Sequence, residues 1–316
     1  SKERENKREA ETIRKNPRPL EDKIYTVEDL GDIKSHMLSS NTYSLMINNR
    51  GEGFSKNRDI FVNRWRRDFL STPYGQFIYI KDLKNNTIWS PTFAPIYEKP
   101  NYYNVEFSNH KISFHRKDGD METKLEVFLL PEELGEIRKL SLINNSQEEK
   151  LLETFSYFEL VGERLNSDLA HPAFNNLFIK TEVLEEGLLA HRRKRGEDTQ
   201  DTWILHGVKV FNGDAEGFQY ETNRENFIGR GNDLSRPKGI IKGLSNTVGV
   251  VLDPIMSIGK KIRLAPDEKI DIYYITAMAD SPSEAEDILN KYSKYENIIM
   301  AKDLSNIKSQ GEIGYL

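Results

Sequence analysis

From Leu38 to Met278 the chain runs as a succession of short apolar or alternating segments, each stopped by Gly, Pro, Asn or Asp. Period-two alternation places successive side chains on opposite faces of an extended backbone, so each segment has one face to bury and none is long enough to bury it alone. The segments read as strands are Tyr43–Ile47, Gln76–Lys81, Tyr103–Phe107, Lys111–Arg116, Thr123–Leu129, Ile137–Ile143, Leu151–Glu159, Leu177–Val183, Trp203–Phe211, Ile255–Leu264 and Lys269–Met278. Between them, Lys117-Asp118-Gly119-Asp120 has the chemistry of a tight hairpin, and Asn85-Asn86 and Asn144-Asn145 serve similarly. A large antiparallel sandwich answers this pattern. The 15 Phe, 14 Tyr and 3 Trp supply bulky core material despite a mean hydropathy of −0.65.

The flanks differ in texture. Lys2–Lys15 is almost wholly charged and Pro17 and Pro19 close it, so residues 1–36 read as a charged linker or solvated helix. The sandwich is expected over residues 37–280 as one domain. At Ser281-Pro282-Ser283-Glu284 an N-cap Ser, a first-turn Pro and a capping-box Glu stand in order, followed by Ala285, Ile288, Leu289 and Tyr292 at helical spacing. Residues 281–316 are therefore expected to form a C-terminal helix ending near Tyr295, plus a tail whose Ile298, Ile299 and Met300 suggest docking on the sandwich. The chain begins with Ser1 rather than Met, which suggests a fragment excised from a longer protein.

Charge and composition narrow the function. Lys+Arg 45 against Asp+Glu 50 gives a net charge of −5 with the signs interleaved, which is no footprint for nucleic acid. Zero cysteines exclude disulfides and thiolate metal sites and fit a reducing, cytoplasmic compartment. No apolar run reaches spanning length, so direct membrane insertion is not expected. There is no Gly-x-Ser-x-Gly, no His-Glu-x-x-His and no P-loop, and Gly51-Glu52-Gly53 lacks the third glycine of a dinucleotide fingerprint. Of the six histidines only His110 and His115 are close, and a strand puts them on opposite faces. No cofactor, metal or catalytic pair is read from these residues. The basic run His191–Arg195 reads as a solvated loop rather than a phosphate site.

Asn48–Asp68 packs two close glycines, five arginines, two aspartates and a tryptophan around a strand-like centre. If extended, one face carries Ile60 and Val62 flanked by Arg58 and Arg64, and the other carries Asp59, Phe61, Asn63, Trp65 and Arg67. An aromatic plane with carboxylate, amide and guanidinium groups suits a sugar. The same pattern suits a half-buried strand whose arginines pair with acidic neighbours. Trp65 is expected at partial exposure, beside Asp59. Downstream, His171, Phe174 and Asn175 follow a Pro-fixed turn, and Arg230 sits between Gly229 and Gly231. Candidate sugar contacts are therefore Arg58, Asp59, Asn63, Trp65, Arg67, His171, Phe174, Asn175 and Arg230.

Several ordered motifs carry a family resemblance: Arg50-Gly-Glu-Gly-Phe-Ser, Arg58-Asp59, Arg64-Trp65-Arg66, Asp168-Leu-Ala-His-Pro-Ala-Phe, Tyr220-Glu221-Thr222, Phe227-Ile-Gly-Arg-Gly, Ser245-Asn-Thr-Val-Gly and Leu252-Asp-Pro-Ile255. Over roughly Met37 to Tyr292 the chain resembles the β-sandwich region of cyclic β-1,2-glucan synthases, related to glycoside hydrolase family 94, formerly glycosyltransferase family 36. The resemblance implies a mainly β, galactose mutarotase-like supersandwich, in a family where it is attached to an (α/α)₆ barrel that holds the catalytic groups. It further implies a non-catalytic, carbohydrate-associated domain whose partners are β-glucan or oligosaccharide and adjacent catalytic domains, with a larger inner-membrane-associated enzyme as one setting. Two alternatives stay open: a mutarotase-like enzyme using His171 or His206 with Glu221, and a purely structural interdomain module.

Overall fold

A computed structural model describes residues 21–67, 72–197 and 199–313. The charged segment Lys2–Lys15 lies outside them. In chain order the first strands are β1 (Lys23–Thr26), β2 (Ser35–Ser40), β3 (Tyr43–Asn48), β4 (Gly53–Asn57), β5 (Ile60–Asn63), β6 (Phe77–Asp82) and β7 (Ile88–Trp89). There follow β8 (Tyr102–Phe107), β9 (Lys111–Asp118), β10 (Met121–Leu129), β11 (Leu134–Asn144) and the long β12 (Lys150–Arg164). Two short helices, α1 (Leu165–Ala170) and α2 (Pro172–Asn176), lead to β13 (Ile179–Leu184), β14 (Gly187–Arg192), β15 (Thr202–Lys209) and β16 (Asp214–Asn223). Helices α3 (Arg224–Ile228) and α4 (Lys238–Lys242) precede β17 (Pro254–Leu264) and β18 (Lys269–Ala279), and α5 (Pro282–Lys291) and α6 (Tyr295–Ile313) close the described chain.

Two antiparallel sheets face each other. One has the order β1-β8-β9-β10-β11-β18-β15-β14-β13, and the other β16-β17-β12-β5-β4-β3-β2 with β6 and β7 attached through β12. Strand β12 explains why a central strand reads as almost continuously apolar. Its Leu152, Phe158 and Leu160 point into the core between the sheets, while Phe155 and Tyr157 point outward beneath α3 and α4. On the opposite sheet, β18 sends Ile270, Ile272 and Tyr274 inward, and Tyr273, Ile275 and Ala277 outward beneath α5 and α6. Helices thus cover the outer face of one sheet, and the α3–α4 segment covers part of the other.

The hairpin at Gly119 forms, with Asp118 paired to Met121 and Gly119 at φ 56°. So does the helix start: Ser281 Oγ accepts the Glu284 N–H at 3.1 Å, and the Glu284 carboxylate accepts the Asp280 N–H at 3.0 Å, one residue before the cap. Ala285, Ile288, Leu289 and Tyr292 are all buried on the sheet.

Other expectations are corrected. Strand β1 pairs with β8 from Lys23, inside the segment read as linker. The tail after Tyr295 docks on the sheet as expected, through Ile298 and Ala301, but it does so as part of a 19-residue helix, Tyr295–Ile313, and Met300 is exposed. His191 and Arg192 belong to β14 rather than to a loop, because their strand pairs with β13 and β15 on both sides. Strands β4 and β16 escape pattern reading because glycine and charge break up their apolar alternation.

Candidate functional site

The Gly51–Asn63 segment is a tight hairpin built by its glycines. A Cβ on Gly53 would stand 1.9 Å from the Met46 carbonyl oxygen, so only glycine lets β4 lie against β3 there. Strands β4 and β5 then pair through Lys56–Phe61 and Asn57–Ile60, leaving Arg58 and Asp59 exposed at the turn.

The face expected to carry a sugar is mostly interior. Asn63 is fully buried: its Oδ1 accepts the Ser55 N–H at 2.9 Å, and its Nδ2 donates to the carbonyls of Gly53 and Arg64 at 3.1 Å each. It continues the β4–β5 ladder beyond the backbone pairs. Trp65 is 7% exposed and meets Phe54 edge-on at 5.4 Å, and Phe54 lies 5.1 Å from Phe61. The partial exposure expected of Trp65 is thereby corrected: the alternation continues past β5 into an aromatic cluster instead of opening onto solvent. Arg67, beyond the strand, is exposed.

Arg64 leaves the same strand toward a buried charge network. It holds Asp168 of α1 with two bonds, Nε–Oδ2 3.1 Å and Nη2–Oδ1 3.0 Å, and lies 3.6 Å from Glu159 of β12 and 3.7 Å from Asp253. Arg66 adds a 2.8 Å contact to Asp168. Arg224, at the start of α3, lies 2.6 Å from Glu159 and 3.9 Å from Asp253. The exit of β5, β12 with the adjoining α1, the start of α3 and the segment before β17 are tied together this way. Burial pushes the Glu159 carboxyl up, with Arg64 and Arg224 opposing. Burial also acts on Asp168, but its bonds to Arg64 and Arg66 win and hold it below its ordinary range.

Arg224 and Asp253 continue from this network into an open cleft of about 480 Å³, which Thr72, Tyr97, Arg230 and Asp233 also line. Asp233 accepts from the Ser235 N–H at 2.8 Å and from the Ser235 hydroxyl, which holds its carboxyl low. Tyr97 is 39% exposed. The cleft thus offers a partly open aromatic, guanidinium donors, the Asp233 carboxylate engaged by Ser235, and Asp253, one oxygen of which has no hydrogen-bond partner among the described residues.

The other candidates do not gather here. Arg58 and Asp59 line a second cleft, of about 340 Å³, with Asp59 3.0 Å from Arg164. Phe174 is exposed and lies under Arg195, 5.3 Å away, and Arg195 also lines that second cleft. His171 is exposed in the α1–α2 turn. Asn175 is corrected from site to scaffold: it is fully buried, its Nδ2 donates to the Ser167 carbonyl at 2.7 Å, and its own carbonyl accepts from Arg192. His206 and Glu221 do not form an acid–base pair. His206 sits between the sheets, 2.8 Å from both Ser156 Oγ and Thr276 Oγ1, and burial, then Arg138, push it down to about 3. Glu221 is buried and accepts the N–H groups of Thr222, Asn223 and Ser245, shaping that loop.

Glu159 and Arg224 are not among the sequence candidates, and Asp253 enters there only within the Leu252-Asp-Pro-Ile255 motif and not as a site residue. Glu159 leaves a signal as a lone acid inside the mostly apolar run Phe155–Val161, and Asp253 leaves one as part of its motif. Among the described residues no group of three or more His, Asp or Glu is placed to hold a metal ion, and no helix is long and apolar enough to cross a membrane.

Residues 23–295 match the family described as glycosyl hydrolase 94, supersandwich domain. A cyclic β-(1,2)-glucan synthase, NdvB, of Rhizobium meliloti (strain 1021) is 28% identical over 290 residues, 90% of this chain and 10% of that protein. A solabiose phosphorylase of Paenibacillus borealis is 21% identical over 223 residues, 68% of this chain and 27% of that protein. Among solved structures, a human-microbiome protein described as a kojibiose phosphorylase superposes with a TM-score of 0.44 at 8% identity, covering 85% of this chain and 38% of its own. The chain spans about a tenth and about a quarter of the two curated relatives.

Proposed function

The chain belongs to the glycosyl hydrolase 94 supersandwich-domain family, and from that premise we propose that it is a carbohydrate-associated module of a glucan-synthesising or phosphorolytic enzyme, holding oligosaccharide without supplying the reacting groups. The observation that carries this reading is the state of the carboxylates in and behind the 480 Å³ cleft: Glu159 and Asp253 lie between Arg64 and Arg224, and Asp233 is bonded by Ser235. Asp233, held by the Ser235 N–H and hydroxyl, is a poor proton shuttle but a rigid acceptor for hydroxyls. Glu159 and Asp253 lie near guanidinium groups while each keeps one oxygen without a hydrogen-bond partner among the described residues, and exposed Arg230 and Tyr97 complete a sugar-sized polar recess. The names of the relatives point to β-glucan or a related oligosaccharide as the ligand, and to a longer polypeptide as the setting.

Calorimetric titration of β-1,2-glucooligosaccharides into the chain and into Arg230→Ala tests binding. We expect the variant to lose about tenfold or more in affinity, equivalent to about 1.4 kcal/mol. No saturable heat from the unmodified chain would reject the sugar role and leave interdomain packing. Protein-dependent release of glucose 1-phosphate from glucan and phosphate, or accelerated mutarotation of glucose, would reject the non-catalytic role.

A further inference from the structure

The second cleft has a different chemistry. It lies where the β4–β5 turn, the end of β12 and the end of β14 meet, and it is lined by six cationic side chains against four carboxylates. Two of the four are committed: Asp59 to Arg164 at 3.0 Å and Glu163 to Arg195 at 3.3 Å. A third, Asp201, accepts the Lys194 N–H at 2.7 Å and lies 3.6 Å from His191. Among the described residues, Arg58, Arg192, Arg193 and Lys194 are left with Asp280 as the remaining lining acid.

Arg192 is the informative member. It lines the cleft yet is only 6% exposed, and its guanidinium is held by neutral carbonyls: Nε and Nη2 donate to Val161 O at 2.8 and 2.5 Å, and Nη1 to Asn175 O at 2.7 Å. Among the described residues it has no ion pair. Carbonyls satisfy its N–H groups without neutralising its charge, and burial pulls it down to about 10 although the Glu163 and Asp168 carboxylates oppose that. A positive charge fixed in a buried wall, beside an opening rimmed by the exposed Arg58, Arg193 and Lys194, raises the affinity of that opening for an anion. The local backbone is shaped for this: the β12–β5 register shifts between Leu160 and Glu163, and Gly162 within the shift has φ 64°.

We infer that this cleft binds a phosphate-class oxyanion, either inorganic phosphate or a phosphoryl group carried on a sugar. Guanidinium forks and an ammonium arriving from separate strand ends suit a tetrahedral anion with several acceptor oxygens and a charge near −2 better than a single planar carboxylate. The volume of about 340 Å³ exceeds what a bare phosphate fills and leaves space for an attached ring. The site is independent of the glucan-holding cleft, which has Arg230 on its rim.

The test titrates inorganic phosphate and, separately, glucose 6-phosphate into the chain at low ionic strength, with calorimetric detection. Saturable binding of at least one probe is expected, weakening steeply with added NaCl. Arg58→Ala and the double variant Arg193→Ala/Lys194→Ala change exposed side chains, so melting temperatures should hold while affinity falls tenfold or more. Arg193→Lys should retain most of the binding. Binding of both probes with similar affinity assigns the site to free phosphate, and binding of glucose 6-phosphate alone assigns it to a phosphorylated sugar. Arg230→Ala should leave both titrations unchanged, which separates this site from the glucan reading. Absence of saturable binding by either probe, or affinities unaltered by the two cleft variants, would overturn the proposal.

Discussion

Trp65 and His206 show how a residue's role follows from what closes over it. Both are polar-tipped rings that a sequence reading places near a sugar, and both are buried. For Trp65 the consequence is stability: replacing it by Ala should cost about 3–5 kcal/mol through lost contacts and a residual cavity beside Phe54. A melt of Trp65→Ala close to that of the unmodified chain would return it to the surface. For His206 the consequence is a pH dependence. Its folded pKa of about 3 lies below the unfolded value of about 6.5, so the proton is taken up on unfolding. Its contribution is complete above about pH 6.5 and is lost as pH falls toward 3, by about 1.4 kcal/mol per unit. Denaturant unfolding at pH 7 and pH 5 should therefore show a loss in the unmodified chain that is about 2 kcal/mol larger than in His206→Gln. Equal losses in the two proteins would mean that His206 accepts a proton without unfolding.

At the scale of elements, the difference lies between local and borrowed order. Helix α5 begins where Ser281, Pro282 and Glu284 say it should, because cap bonds span only three or four residues. Ser281→Ala should lower stability by about 1 kcal/mol in a thermal or denaturant melt, and Ser281→Asp should restore it. Helix α6 carries no comparable signal, since its apolar residues do not concentrate on one face. Its order comes from Ile298 and Ala301 on the sheet and from Lys302 against Glu126 at 2.5 Å. Strand β5 is similar: four residues long, it is held by β4 on one side and the end of β12 on the other. The expected sugar-facing side of that strand was misread because alternation tells which residues share a face, not which layer covers it.

For the whole molecule, the Arg64 network joins the exit of β5, the middle of β12, α1, the start of α3 and the approach to β17. Removing Arg64 leaves Glu159 and Asp168 buried with fewer cations, so Arg64→Ala should destabilise the fold by about 3–5 kcal/mol and reshape the adjoining cleft. Urea melts read by circular dichroism, alongside glucan titration, check this; a stable variant with unaltered glucan binding would make the network dispensable. Much of the architecture was legible beforehand. Period-two runs, the Asp118-Gly119 hairpin and the Ser281 cap are local statements about backbone, and eleven strand readings overlap observed strands. The ordered motifs that tie the chain to its family lie in the same linear text. The site was less legible, since Arg58 and Arg230 both point to polar surface yet line different clefts, while Glu159, Arg224 and Asp253 meet from positions up to 94 residues apart. Sequence alone determined where the chain extends, turns and starts its capped helix, because those depend on neighbours a few residues away. Only the tertiary structure decided which charges are buried together and which remain open to a ligand, because pairing and desolvation depend on the sheet and loop that close over each side chain.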